Sequence, residues 1–483
     1  MSVDFMAWLK SLISSQPDPD KKPDPAKEPR LYWHAELQQE AVRLMSLSPD
    51  FSLTLEYTRS GNGFLREMAV LALDANPGSQ ALGAIIERLN DWVPAIRCAA
   101  KAQFSTYLEG ERISYLIPGL NQLVRLEAQR RDDHTALLSQ VGEVLALPTM
   151  REPVRRQFLA LEGPAARQVL AWMLMWPDTR LSETLMLAVR SPDPIVRAMA
   201  YRQARDDTSP ETLQLLASGL DETVPALRNI ALTAWLENNV DPSIAEDQLS
   251  RFVFSPAAST RELAVWHAKR LGMDPGVLLS ARLLAPPPTD VRALLGLLGL
   301  CSLMKTRPSL PFVVRSLEST SATVRKAAWQ ALVQLDIEVA RQYTTKLLLD
   351  PARKVFAAVL ASVRANTVLD LESGELGTVL NATVAAGALQ QAALLTPLLP
   401  VWEQINTLLQ FLSLATPADR VFLLAQLKRW SIRQQYSYMI APTDSELARL
   451  KALINQLSPE IFEAIKRQQI RAFQQYLPKL APY

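Results

Sequence analysis

Cysteine, histidine and glycine are all scarce in this 483-residue chain, at two, three and sixteen residues. Cys98 and Cys301 fall inside different predicted helices, so they supply neither a disulfide framework nor the paired spacing of a zinc site. They read as buried free thiols in a reducing compartment, which places the protein in the cytoplasm. Histidines at 34, 134 and 267 are too few and too scattered for a triad or a metal cluster, and no H-E-x-x-H, G-x-S-x-G, P-loop or G-x-G-x-x-G run is present. Asp132-Asp133-His134 is the one acid–histidine cluster. Neighbours on a helix point in different directions, so a solvated helix start is expected there rather than an ion site. These absences argue against an enzyme, and no metal or cofactor is expected.

Long apolar runs are lacking too. Leu376–Trp402 carries no charge, but Asn381, Gln390, Gln391, Pro397 and Pro400 interrupt it, so it reads as a buried helical pair and no membrane span is expected. Met1–Ser15 has Asp4 in place of a basic leader, Lys10 inside its apolar part and no small-residue cleavage site, so it does not read as a secretory signal. An excess of one charge is missing as well: 51 Lys and Arg against 49 Asp and Glu give +2, which weakens any duplex-binding reading.

What the chain does have is helix. Few glycines, no alternating β-branched run and abundant Ala, Leu, Arg and Gln make it all-α, and 48% hydrophobic content is enough for a large core. Ser319–Asp336 shows the recurring design: apolar residues at Val324, Ala327, Ala328, Ala331, Leu332 and Leu335 line one helical face, and Arg325 follows the first of them. The frame of an apolar residue, Arg, and Ala three later recurs at Leu65-Arg66, Ile96-Arg97, Val196-Arg197 and Leu227-Arg228. Thr260-Arg261 and, more loosely, Val291-Arg292 and Arg353-Lys354 continue it, and weaker frames at His134 and Arg167 fill the gap. The resulting spacing near thirty residues suits two helices and two turns, the unit of a solenoid. Partner helices lie upstream of the markers, for example at Gln80–Leu89, Thr212–Leu220 and Leu310–Leu317. Ser191-Pro192, Ser255-Pro256 and Asp350-Pro351 place a capping side chain before a proline expected at the first helical position, with Pro94 and Pro225 in comparable turns.

The pattern D/S-x-x-x-P/T-hydrophobic-R-x-x-A-x-x-A-L, clearest in Asp221–Leu236, Ser191–Ala204 and Ser319–Leu332, resembles the HEAT-repeat (armadillo-like) family over roughly residues 60–365. The resemblance implies a right-handed α-solenoid of stacked antiparallel helix hairpins. It implies that the marker arginine bridges to an acid of an adjacent turn, for which Asp91, Asp193 and Asp221 are placed. It also implies that the second helix of each pair lines a concave face.

Three regions follow: 1–30, a short helix through Phe5–Ile13 and a proline- and charge-rich linker; 31–365, the repeats; and 366–483, a C-terminal helical cap or subdomain. Residues 420–483 carry ten Lys and Arg against four Asp and Glu, together with Trp430, Tyr436, Tyr438, Phe462, Phe473 and Tyr476. That interleaving could bind nucleic acid or simply cap the stack. The preferred function is a non-enzymatic protein-binding scaffold or adaptor, and the alternative is a nucleic-acid-binding solenoid related in fold to HEAT-like DNA glycosylases. Outward positions on the marker helices give the candidate surface: Trp172, Arg202, Arg205, Trp266, Lys269, Arg270, Lys326 and Trp329. Cations and aromatics in a stripe suit an acidic, extended protein or peptide. His267, at the place of Ala331 and Ala234 on its helix, is expected to be a buried seam residue.

Overall fold

A computed structural model describes residues 29–177, 179–238, 241–436 and 441–468. The Phe5–Ile13 segment and nearly all of the linker lie outside the described residues, as do Tyr438, Phe473 and Tyr476. The described residues form 27 α-helices with short turns and no strand. This is the all-α solenoid of helical hairpins that the repeats imply.

Helix boundaries follow from local chemistry. The Ser319–Asp336 frame becomes the helix Ala322–Leu335, with Val324, Ala328, Trp329, Ala331 and Leu332 buried. It stops at Asp336, whose extended backbone frees its carboxylate to accept from Val339 N–H and start the helix Ile337–Leu348. Pro94 and Pro225 open their helices, where a missing N–H costs nothing. Pro192, Pro256 and Pro351 do not. The helices begin two residues later, at Pro194, Ala258 and Arg353. The preceding side chain instead folds the turn: Ser191 Oγ accepts from Asp193 N–H at 3.2 Å, Ser255 Oγ from Ala257 at 3.3 Å and Asp350 Oδ1 from Ala352 at 2.8 Å.

These turns set the repeat. Marker helices start at Gly63 and Pro94, then at Gly163, Pro194, Pro225, Ala258, Val291, Ala322 and Arg353. In the later run the starts are separated by 31, 31, 33, 33, 31 and 31 residues. In this register the residue matching Arg325 is Leu294 in the next-upstream repeat and Phe356 in the next-downstream one. The loose frames at Arg292 and Lys354 are therefore two residues out of phase. Between Thr106 and Phe158 the register is lost, and short helices such as Thr135–Leu145 replace it.

The chain forms two compact units, up to Val240 and from Asp241. In the first, Gly63–Ala72 packs on Pro94–Ser105, and Pro194–Gln203 lies between Gly163–Leu174 and Pro225–Glu237. Ser79–Arg88 against Leu116–Arg125, and Leu181–Ala188 against Pro210–Gly219, form a second layer. In the second unit, Ala258–Arg270, Val291–Met304, Ala322–Leu335 and Arg353–Ala365 stack in turn. Leu389–Leu395 and Pro417–Tyr436 continue that layer, and Val401–Leu414 packs on Asp444–Gln456 in the other. Leu376–Trp402 is broken among Ser373–Ala385, Leu389–Leu395 and a turn before Val401, and no helix among the described residues is long and apolar enough to cross a membrane.

The marker arginines tie one repeat to the next. Arg66 donates to both carboxylate oxygens of Asp91 at 3.1 Å and to the Ser60 carbonyl, and Arg325 treats Asp350 and the Ser319 carbonyl the same way at 2.7–2.8 Å. Arg167 reaches Asp193 at 3.2 Å. Arg197 reaches Glu222 at 3.0 Å, one residue beyond the expected Asp221. The Arg66–Asp91 pair is almost wholly buried, with side chains 4% and 1% exposed. Burial alone pushes the Asp91 carboxyl up. The Arg66 hydrogen bonds, the Val93 N–H and the charges of Arg66 and Arg88 outweigh it, so Asp91 titrates below the ordinary carboxylate range.

Two smaller expectations change. Cys98 is exposed, four residues after the start of its helix, whereas Cys301 is buried and desolvation lifts its thiol to about 11. His134 is buried rather than solvated, although Asp133 beside it is exposed. Asp132 pairs with Arg97 at 3.3 Å and Lys101 at 2.9 Å.

Candidate protein-binding surface

Whether a marker-helix side chain faces the stack or solvent depends on its offset from the helix start, because each residue turns the direction by about 100°. Seven residues after the start stand Val70, Leu170, Tyr201, Leu232, Val265, Leu298, Trp329 and Leu360, all buried, and Lys101, which is exposed. Eight residues after it stand Ala102, Arg202, Trp266, Gln330 and Ala361, all exposed, and Leu71, Ala171, Thr233 and Gly299, which are half-buried. The offset sorts the sequence candidates.

Trp329, at the inward offset, is 0% exposed and donates from Nε1 to Ser362 Oγ of the following marker helix at 3.0 Å. Trp172 is also buried, and its ring fills the space left by Gly142, where a Cβ would stand 2.7 Å from the indole. These two tryptophans are therefore not part of an outward stripe. Burying each removes roughly 150–250 Å² from water, worth about 4–6 kcal/mol as an upper bound, so they serve the junctions between repeats.

Arg202 and Arg205 remain outward in the first unit, eight and eleven residues after Pro194. Trp266 and Lys269 occupy the same two offsets after Ala258 in the second unit, and Arg270 follows. Offsets three apart share a helical face, so each helix presents its pair together. Arg205 is committed to Glu237 at 2.6 Å. Trp266 is 52% exposed, and the Arg270 guanidinium lies 4.6 Å from its ring centroid, close enough to order both side chains by cation–π attraction. The ring of His267 meets Trp266 edge-on at 4.6 Å from the buried side, at the seam position expected for it. Glu262 is the sole carboxylate of that helix. Lys326, four residues after Ala322, is half-buried.

The C-terminal aromatics sort in the same manner. Trp430 is 1% exposed, packs edge-on against Trp402 and donates to the Val401 carbonyl at 3.0 Å, so it closes a helix junction. Phe462 is half-buried. Among the described residues no group of three His, Cys, Asp or Glu is arranged to hold a metal ion.

The register, which separates the buried from the exposed tryptophans, was the signal missed in the sequence. Trp329 stands four residues after Arg325 and Trp266 five after Arg261, so a single step of about 100° within the same frame turns one inward and the other outward.

No protein-family model matches the chain, and no curated protein matches it. Among solved structures it is similar to that of Kap95p bound to RanGDP, in work on nuclear import complex assembly. The match covers 92% of this chain and 69% of that one at 12% identity and a TM-score of 0.40. The functional reading rests on this chain's own geometry.

Proposed function

We propose that the protein is a non-enzymatic binding scaffold that holds an acidic, extended protein segment on its marker-helix layer. The observation that carries this reading is the exposed Trp266–Arg270 pair with Lys269 beside it. A preordered aromatic and two cations on one face give a partner carboxylate and apolar side chain somewhere to be desolvated together, at little cost in side-chain entropy. Arg202 and Arg205 at the matching offsets offer the first unit a weaker version of the same surface. Residues 366–483 complete the scaffold as a cap, and the N-terminal 1–30 segment is a tether. The setting is cytoplasmic.

The test is recovery of partners from native extract by the wild type and by an Arg202→Glu/Arg270→Glu variant, with and without nuclease. The reading expects a nuclease-resistant partner that the variant loses at an unchanged melting temperature. A partner lost on nuclease treatment would support nucleic-acid binding instead, and recovery unaffected by the double charge reversal would remove the marker-helix surface from consideration.

A further inference from the structure

The second unit contains a groove that the marker-helix surface does not use. The helix Pro275–Leu284 ends at Ala285 in an extended conformation, and the APPP turn 285–288 leads to Asp290, which caps the helix Val291–Met304. Across from this turn stand Pro308 and the helix Leu310–Ser316, and a cleft of about 410 Å³ lies between them. Its floor includes the buried Leu297 and the half-buried Phe312. Pro286 and Pro287 line one wall, Pro308 and Pro311 the other. Proline fixes φ and has no N–H to satisfy, so these walls are stiff and keep the cleft open without a ligand.

Charge marks the rim. Arg282 and Arg315 both line the cleft and no carboxylate does. Arg282 donates one N–H to the Pro286 carbonyl at 2.9 Å, which holds the guanidinium over the turn and leaves its other donors available. Arg315 is exposed and has no ion-pair partner among the described residues. Leu284, at the end of the first wall, is 91% exposed, the largest value among the exposed large hydrophobic residues. From 275 to 316 the sequence has five cations, at 282, 292, 305, 307 and 315, and the single acid Asp290, which accepts from Ala293 N–H.

We infer that this groove binds a short peptide segment in which an apolar side chain is flanked by carboxylates: the apolar group enters over Leu297 and Phe312, and the carboxylates meet Arg282 and Arg315. A guanidinium takes a carboxylate in a planar two-bond fork, and the rigid proline walls supply apolar area without an ordering cost. The inference rests on the proposed protein-binding role for the class of partner, but it assigns a separate surface with its own residues.

The experiment measures fluorescence anisotropy of a labelled short peptide with Asp and Glu around a central Leu-Phe pair, using the full chain. A counterpart peptide with Asn and Gln and an unlabelled oligothymidylate competitor are run beside it. Expected are saturable binding of the acidic peptide, at least about tenfold weaker binding of the amide peptide, and a similar loss on Arg282→Glu/Arg315→Glu. Leu284→Ser, at an exposed site where the fold is not at stake, should weaken binding severalfold, whereas Trp266→Ala/Arg270→Glu should leave it unchanged. Equal affinity for the two peptides, full binding by the groove variants, or displacement by oligothymidylate at lower concentration than by unlabelled peptide would each overturn the inference. Loss on the Trp266/Arg270 variant alone would assign the peptide to the marker-helix surface, overturning the groove while leaving the protein-binding reading intact.

Discussion

Arg66 and Arg261 occupy the same place in their repeats, three residues after a helix start, yet they end in opposite electrostatic states. Arg66 is clamped by Asp91, which sits three residues before the next marker helix. For Arg261 the corresponding position is Pro288, and the repeat is 33 residues rather than 31. Arg261 keeps the hydrogen bond to its own turn, Ser255 O at 2.8 Å, but it is 8% exposed, its Nε is unpartnered and it has no carboxylate partner among the described residues. Burial pushes its pKa down. It fits because the next helix offers Gly299, where a Cβ would come within 2.3 Å of the guanidinium. One sequence frame thus makes a paired rung at Arg66, and again at Arg325 in the second unit, but a packed cation with no paired acid at Arg261. The lesson is that the acid three residues before the next helix decides the outcome, and the arginine alone does not.

The largest effect should come from breaking the paired rung. Arg66→Met leaves Asp91 buried with only Arg88 beside it and should cost about 3–5 kcal/mol in a urea titration. A loss below about 1 kcal/mol would mean that the rung contributes little. Next is Gly296→Ala, which puts a Cβ 1.8 Å from the Phe254 carbonyl oxygen, so backbone must move. A cost of about 1–3 kcal/mol is expected. At Gly63 in the first unit a Cβ meets nothing closer than 3.8 Å, and alanine there should be near neutral by the same titration. Arg261→Met should be the reverse of Arg66→Met, neutral or stabilising by about 1 kcal/mol, because it removes a desolvated charge whose burial the neighbouring Glu262 offsets only in part. A lower urea midpoint for that variant would contradict the contrast between the rungs.

The smallest effects are in the pH dependence. Asp91 and Asp350 both titrate low: burial raises each, but hydrogen bonds from Arg66 or Arg325 and from a backbone N–H, with the arginine charges, outweigh it. Their contribution to stability is complete above the unfolded carboxylate pKa of about 3.9 and disappears as pH falls through the lower folded values. His134 acts at milder acidity. Burial lowers its pKa, and both ring nitrogens lack a hydrogen-bond partner among the described residues. Protonation therefore favours the unfolded chain. Stability should be constant above about pH 6.5 and fall below it, by at most about 1.4 kcal/mol per pH unit. Melting temperatures of His134→Phe between pH 7.5 and 5 should be flatter than those of the parent.

Much of this architecture is legible in the sequence. The apolar period and the arginine frames place the helices to within a residue or two, and the bridges to Asp91 and Asp193 are those that the resemblance to HEAT repeats implies. What stayed hidden depends on helix starts, on position around each helix and on contacts between distant residues. Prolines 192, 256 and 351 suggest starts two residues early, because Ser191, Ser255 and Asp350 resemble caps but fold turns instead. The marker arginines themselves are in phase with the starts of Ala258–Arg270 and Ala322–Leu335, but a stripe drawn over more than one helical turn takes in both faces, so an inward Trp329 is grouped with an outward Trp266. Gly142 and Gly299, which make room for Trp172 and Arg261, lie 30 and 38 residues from the groups they accommodate, so no local pattern links them. The exposure of Trp266 follows from register alone. Its pairing with Arg270 is legible as an i,i+4 spacing once the face is known.

The cations divide by role: buried marker arginines hold repeats together, and the exposed group on Ala258–Arg270 is the one proposed to bind a partner. The most direct test measures melting temperature and affinity for the recovered partner on the same two variants, Arg66→Met and Trp266→Ala/Arg270→Glu. The predicted result is crossed, with the first variant melting lower yet binding normally while folded, and the second melting like the parent yet losing at least about tenfold in affinity. Normal binding by the second variant at an unchanged melting temperature would contradict it.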